Sequence, residues 1–510
     1  MFIGRAEFHG IAISLLALIS VAPTAPAVAQ KAIAAPTPIA DSLVAKATTN
    51  HGIRIGDKEI RYEATWSEVA LKDESGVPQA TISATSYVRD GPSKANRPVM
   101  FLFNGGPGAS SSPLHFSAFG PRRRDPRDAS GAAPMLDNEA CLIDVADLVF
   151  IDPVGTGFSR ELKEGGGKSY WGLSGDARSV LALIRDWLRE NKRTKSPVFI
   201  AGESYGGMRL ALMAKDLSDL TIAGLILISP VTDMTANASA TGNDLPFIFD
   251  LPSMAVAAWT YRKPADDLRK VEDVWEAARA YAQGDYAVAL QQGSALPAEV
   301  RARIAEELSR LIGLPAATIE AANLRVDTQD FLETLLADQN KIVGRLDTRV
   351  AASKPERPIN PDRPAAANDP SLGLGRTNVI KSDSAAAYYR DELNVETTRD
   401  YYSLTLDVNF NWNWRDEASG IGPSTVFYLN ATPNIAALMK EKPKLRVMLA
   451  SGYFDLATPV LGQRYALLHG GLPLDRLEMV ALASSHSPYD DDNRPAFAEM
   501  VRQFVRKSVK

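Results

Sequence analysis

Between residues 60 and 90 the chain alternates between apolar and polar positions. Tyr62, Ala64 and Trp66, and then Ile82, Ala84 and Val88, fall two or four apart on either side of Ser75-Gly76-Val77-Pro78, which predicts antiparallel strands joined by a turn. The pattern then changes to short, continuous apolar runs at 99–103, 148–151, 198–201 and 225–228. Ala177, Val180, Leu181, Ile184, Trp187 and Leu188 recur at helical spacing, with Ser174 or Asp176 as the candidate N-cap, and a further helical stretch starts at Met208. Apolar runs separated by helices predict βαβ units and a mostly parallel sheet buried on both faces. After Pro230 the alternation stops. Residues 271–281, 299–312 and 330–336 read as helices with no strands between them, and Pro355, Pro358, Pro361 and Pro364 mark an extended segment over 353–365. The βα pattern returns at 445–450 and 477–482, and 495–505 predicts a closing helix. The expected organisation is a sheet-based core over 56–235 and 440–510, interrupted by a mainly helical cap over 236–439.

The first 55 residues follow another logic. Arg5 precedes an uncharged apolar run over 11–22, and Ala27-Val28-Ala29 is a small-residue cleavage pattern. This layout predicts an export signal over 1–29, too short for a comfortable membrane span; an uncleaved anchor is the alternative. Residues 30–55 are rich in Ala, Pro and Thr and predict a flexible lead-in. The expected location is exported, in a bacterial periplasm or exterior, with no stable membrane association once the signal is removed.

Composition narrows the class. The 510 residues carry 56 Lys plus Arg against 61 Asp plus Glu, and are 45% hydrophobic and 23% charged. These values exclude a disordered tail, a collagen-like rod and a polytopic membrane protein. With no basic excess to release counterions, a nucleic-acid partner is not expected. Cys141 is the only cysteine, so no internal disulfide can form, and its apolar neighbourhood predicts a buried, inert thiol. Five histidines leave little for a zinc site, and neither a metal nor a cofactor is expected.

Gly202-Glu203-Ser204-Tyr205-Gly206 fits G-x-S-x-G, with a predicted strand running in and a predicted helix running out. The glycines allow a tight turn that projects the Ser204 hydroxyl, and the helix N-terminus favours developing negative charge. A serine nucleophile needs a base, and the base an orienting carboxylate; in α/β-hydrolases these follow as Ser, acid, His. Only His469 and His486 come after Ser204. His486 lies in the turn after 477–482, whereas His469 reads as a helix C-terminus. Asp455 lies just after 445–450. Ser204, Asp455 and His486 are therefore the candidate triad. Oxyanion donors are expected from the Tyr205 N–H and from the loop Asn104-Gly105-Gly106-Pro107-Gly108 after the run at 99–103.

Phe103-Asn104-Gly105-Gly106-Pro107-Gly108-Ala109-Ser110-Ser111, Asp152-Pro153-Val154-Gly155-Thr156-Gly157-Phe158-Ser159 and Gly202-Glu203-Ser204-Tyr205-Gly206-Gly207 together resemble the serine carboxypeptidase family. The resemblance covers about 95–230 and 440–510, and it implies an α/β-hydrolase fold with a mostly parallel central sheet and an inserted helical cap. It implies a peptide substrate cleaved at its C-terminal bond, with Ser204 as nucleophile, His486 as base and acid, and Asp455 as its orienter. Gly106 and Tyr205 would supply the oxyanion N–H groups, and Asn104 and Glu203 would bind the substrate carboxylate. Glu203 can do so only while protonated, which favours acidic pH. Three departures stand out: Ala109 replaces a frequent family cysteine, Ala118 a supporting glutamate, and Ser487 the methionine after the catalytic histidine. Arg122-Arg123-Arg124 read as a solvated loop face, with a substrate anion as the alternative partner. Phe410, Trp412 and Trp414 read as packing residues, with a pocket lining as the alternative. An esterase or acyltransferase with the same triad is the competing activity.

Overall fold

The computed structural model describes residues 43–91, 96–125, 127, 133–237, 240–263, 268–354, 369–374, 377–415, 429–490 and 492–510. The expected export signal, and nearly all of the proline-rich segment at 353–365, lie outside these residues.

Nine strands form one sheet: β1 (Leu43–Ile55), β2 (Lys58–Lys72), β3 (Pro78–Arg89), β4 (Val99–Phe103), β5 (Asp147–Asp152), β6 (Val198–Glu203), β7 (Ile222–Ile228), β8 (Arg446–Gly452) and β9 (Leu477–Leu482). Their order across the sheet is β1-β2-β3-β5-β4-β6-β7-β8-β9. β1, β2 and β3 pair antiparallel, β3 pairs antiparallel with β5, and from β5 to β9 every neighbouring pair is parallel. This is the α/β-hydrolase arrangement, with an antiparallel meander leading into a parallel sheet. The parallel strands read as unbroken apolar runs because both of their faces are covered. Phe101, Val149, Ile200, Leu225 and Leu449 point into one core, against α1 (Leu173–Glu190) and α2 (Tyr205–Met213). Met100, Leu148, Phe199, Ile226 and Met448 point into the other, against the C-terminal helix α10 (Arg494–Ser508).

The helices α3 (Leu245–Thr260), α4 (Val271–Tyr281), α5 (Ala298–Ile312) and α6 (Thr328–Thr334) share a separate apolar cluster that also takes in Tyr453, Phe454, Leu456 and Val460 of the core. They lie within the span read as a helical cap. The cap boundary at 439 needs correcting. α7 (Asp383–Asp391) sends Ala385, Tyr388 and Tyr389 into one sheet-facing core, and α8 (Thr432–Glu441) sends Ile435, Leu438 and Met439 into the other. These two helices of the insertion are therefore laid one onto each face of the sheet. The lead-in is also shorter than expected. Residues 43–55 are β1, paired with β2 from Leu43↔Val69 to Ile55↔Lys58. Its inward positions include Ala45, Ala47 and Thr49, which are too small to announce a strand. Helix α1 starts at Leu173 after Gly172, so neither Ser174 nor Asp176 caps it.

Candidate active site

From Val198 to Ala214 every residue is buried except Ser204. β6 drives straight into this turn and α2 leaves it. Ser204 sits at φ 59°, ψ −126°, a region that non-glycine residues rarely occupy. Hydrogen bonds hold it there: Ser204 N donates to Ile228 O of β7 (3.0 Å), while Gly207 N and Val231 N donate to Ser204 O (2.9 and 3.1 Å).

The loop after β4 lies against this elbow. A Cβ on Gly105 would stand 2.4 Å from Tyr205 N and 2.8 Å from Glu203 O, so only glycine permits the approach. Ala109 N donates to Gly105 O (3.1 Å), and Arg209 Nη1 donates to Asn104 O (2.6 Å). The insertion packs on the same loop. Thr405 N donates to Gly108 O (2.9 Å), Ser110 N donates to Ser403 O (3.0 Å), and the rings of Trp412 and Trp414 stand edge-on to Tyr205 at 5.1 and 5.8 Å. Trp412 is packed as expected, while Phe410 remains 45% exposed.

Asp455 is fully buried at the end of β8. Its Oδ2 accepts from His486 Nδ1 (2.8 Å) and Thr458 Oγ1 (2.7 Å), and its Oδ1 accepts from Ala457 N (2.7 Å) and Thr458 N (3.0 Å). Every lone pair of the carboxylate therefore has work as an acceptor, and Nε2 is the free nitrogen of His486. Burial lowers the pKa of His486, but the Asp455 charge and hydrogen bond, with Glu203 adding to them, outweigh it and leave it raised. Among the described residues no hydrogen bond joins the Ser204 hydroxyl to His486; such bonds often tighten only when substrate is bound. His469 stands apart at the end of α9 (Val460–His469), its Nδ1 against Tyr465 O at 2.9 Å.

The loops that carry Asp455 and His486 are both stitched to one stretch of the insertion. Thr348 N donates to Phe454 O (3.0 Å), Leu456 N to Arg345 O (3.0 Å), and His486 N to Leu346 O (2.8 Å). Asp369 holds that stretch in turn, accepting from Arg345 N (3.0 Å) and Leu346 N (2.8 Å).

Glu203 is 3% exposed and sits immediately before Ser204. Its Oε1 accepts from Ser487 Oγ (3.1 Å), its Oε2 from Tyr489 OH. Burial raises its pKa; His486, Tyr489, Ser487 and Asn104 pull the other way without cancelling the shift. Glu203 thus keeps its proton to higher pH than a free glutamate. Ser487, which stands where the family has a methionine, and Tyr489 are thus partners of Glu203 beyond the residues expected from the sequence. Both are short steps from His486, one and three residues on, but nothing local in the sequence marks either hydroxyl as a partner of Glu203. Ala118 offers no side-chain group; its carbonyl accepts from Asn138 Nδ2 (2.9 Å), and the adjacent Phe119 packs near Tyr489. The basic triplet is not a solvated face throughout. Arg122 pairs with Glu392 (2.9 Å), and Arg124 donates to Ser382 Oγ (3.0 Å) and Ser403 Oγ (3.3 Å). Cys141 is buried as expected, its thiol pushed up to about 12 by burial.

Residues 86–249 match the model of the family described as serine carboxypeptidase. The serine carboxypeptidase-like 5 protein of Arabidopsis thaliana is 27% identical over 148 residues, which are 27% of this chain and 33% of that protein. A pheromone-processing carboxypeptidase of Aspergillus niger is 32% identical over 126 residues, 24% of this chain and 19% of that protein. The matched segments thus span a third or less of these relatives. Among solved structures, a proline iminopeptidase of Mycobacterium smegmatis aligns over 90% of this chain and 99% of its own, at 14% identity and a TM-score of 0.36. The family match takes in the three glycine-containing motifs; Asp455 and His486 lie beyond it and rest on their hydrogen-bond geometry.

Proposed function

We propose, from the match of residues 86–249 to the serine carboxypeptidase family model, that this protein removes single residues from the C-termini of peptides. Ser204 Oγ attacks the last peptide carbonyl while His486 Nε2 takes its proton, with Asp455 fixing the tautomer and stabilising the imidazolium. The tetrahedral oxyanion is met by the N–H groups of Gly106 and Tyr205. The C–N bond then breaks, His486 returns the proton to the departing amino acid, and an acyl-enzyme remains on Ser204. Water attacks that ester, again through His486, and releases the shortened peptide.

One observation favours a carboxypeptidase over a general esterase: a buried carboxyl, Glu203, directly beside the nucleophile, whose pKa burial raises toward the protonated form. A neutral carboxyl can donate a hydrogen bond to the substrate's terminal carboxylate, with the Asn104 amide as a second donor. An ionised one would repel it, so peptide binding weakens as pH rises and acidic pH is favoured. The competing reading, an esterase or acyltransferase, draws on the same contacts: Tyr489 and Ser487 already occupy Glu203, which would then be a structural acid. Blocked dipeptides matched except for a free or an amidated C-terminus decide between them. The carboxypeptidase reading requires a strong preference for the free acid; equal cleavage of both rejects it. Export of the protein belongs to the same reading, and mass analysis of the mature N-terminus tests removal of residues 1–29.

A further inference from the structure

Arg209 lies one turn into α2, and neither the triad nor the carboxylate site uses it. It is 1% exposed, and its only carboxylate partner among the described residues is Asp176 of α1, 3% exposed, with Nε to Oδ2 at 2.7 Å. Its Nη1 donates to Asn104 O at 2.6 Å. The guanidinium carbon stands 5.1 Å from the Phe103 ring centroid and 5.4 Å from that of Tyr205. A buried cation is thus wedged between the residue before the oxyanion loop and the residue after the nucleophile.

The consequence follows from peptide planarity. In a trans peptide the C=O and the next N–H point in opposite directions. Arg209 fixes the Asn104 carbonyl, and so the Gly105 N–H; Ala109 N fixes the Gly105 carbonyl, and so the Gly106 N–H. Two successive glycines have little rotational preference of their own, so their donors hold direction only if their carbonyls are held. We propose that Arg209 is a positioning residue for the oxyanion-binding loop: anchored by Asp176, it grips the Asn104 carbonyl and fixes the peptide that leads into the loop, on which the next peptide, held by Ala109 N at the Gly105 carbonyl, depends to keep the Gly106 N–H aimed at the oxyanion beside Tyr205 N. The assignment rests on the acyl-transfer reading above, for peptides or for esters.

The test uses Arg209→Lys, which keeps a charge beside Asp176 but loses the planar fork that spans Asp176 and Asn104, and the double variant Arg209→Met/Asp176→Leu, which removes both buried charges together. Steady-state kinetics on a blocked dipeptide and on an acyl ester are paired with the affinity of an alkyl boronic acid, whose tetrahedral adduct on Ser204 occupies the oxyanion position. A misaimed donor should lower kcat by roughly 10–100-fold. KM should stay within about threefold, and boronate affinity should fall in step with kcat/KM across both variants. The proposal is overturned if the folded double variant recovers kcat and boronate affinity to within about threefold of the parent, which would make Arg209 merely the partner of Asp176. It is equally overturned if kcat falls while boronate affinity holds. A parent that cleaves the ester but not the peptide fails the carboxypeptidase reading alone and leaves the Arg209 comparison standing on the ester and the boronate.

Discussion

Replacing Asp250 by asparagine should stabilise the protein at neutral pH and not at acid pH. Asp250 lies on α3, 8% exposed, close enough to Asp455 to feel its charge. Burial is the largest influence on it and raises its pKa; the Thr328 hydroxyl and Arg345 pull it down, Asp327 and Asp455 push it up, and the net result moves it from 3.8 to about 7. Between those values the folded protein holds a proton that the unfolded chain has released, so stability falls as pH rises across the window. At about 1.4 kcal/mol per pH unit, the full window of roughly 3 units is worth about 4 kcal/mol, lost by pH 8 and intact at pH 4. Asp250→Asn keeps the shape and keeps an oxygen to accept from Thr328 Oγ1, but has no charge to bury. The assay is chemical unfolding of parent and variant at pH 4, 6 and 8. The variant should match or trail the parent slightly at pH 4 and gain on it steadily above pH 5. A difference between the two that stays constant from pH 4 to pH 8 would refute the assignment of a buried, proton-holding Asp250.

The active site supplies further expectations. Ser204→Ala should abolish labelling by a fluorophosphonate probe, and His486→Ala should cost about three or more orders of magnitude in kcat, whereas His469→Ala should leave turnover intact. Because the His486 pKa is raised, the acidic limb of the kcat/KM profile, which reports the free enzyme, should lie above that of an ordinary imidazole; Glu203→Gln removes the negative charge that Glu203 contributes once ionised and should move that limb down. The same variant carries a donor at every pH, so KM should lose its rise toward alkaline pH; an unchanged KM profile would reject the carboxylate-binding role. Tyr489→Phe removes a donor that favours ionised Glu203, so the rise in KM should shift to higher pH, and a shift to lower pH would contradict the hydrogen bond seen here.

The parallel strands were legible because burial on both faces leaves unbroken apolar runs, and the cap helices α4, α5 and α6 because each has one apolar stripe. β1 was hidden by its small inward residues, and α3 by apolar residues on most of its surface together with Pro246 and Pro252 inside it. Such a helix carries no periodicity to read. Ser204, Asp455 and His486 could be found because glycine turns and strand ends have local signatures. Arg209 and Asp176, or Tyr489 and Glu203, could not: each pair meets through packing between elements far apart in sequence, and nothing local marks a polar side chain that will be buried.

The stitching of both triad loops to residues 345–348 makes catalytic competence a late event in the life of the chain. Ser487 and Glu203 meet across 284 residues, and the backbone groups of Leu456 and His486 find their acceptors only once the final stretch of the cap has docked. Loop closure over such separations is slow compared with local helix formation. A nascent or half-folded molecule therefore has Ser204 without an aligned His486, and under the proposed mechanism turnover should begin only when these distant segments have come together.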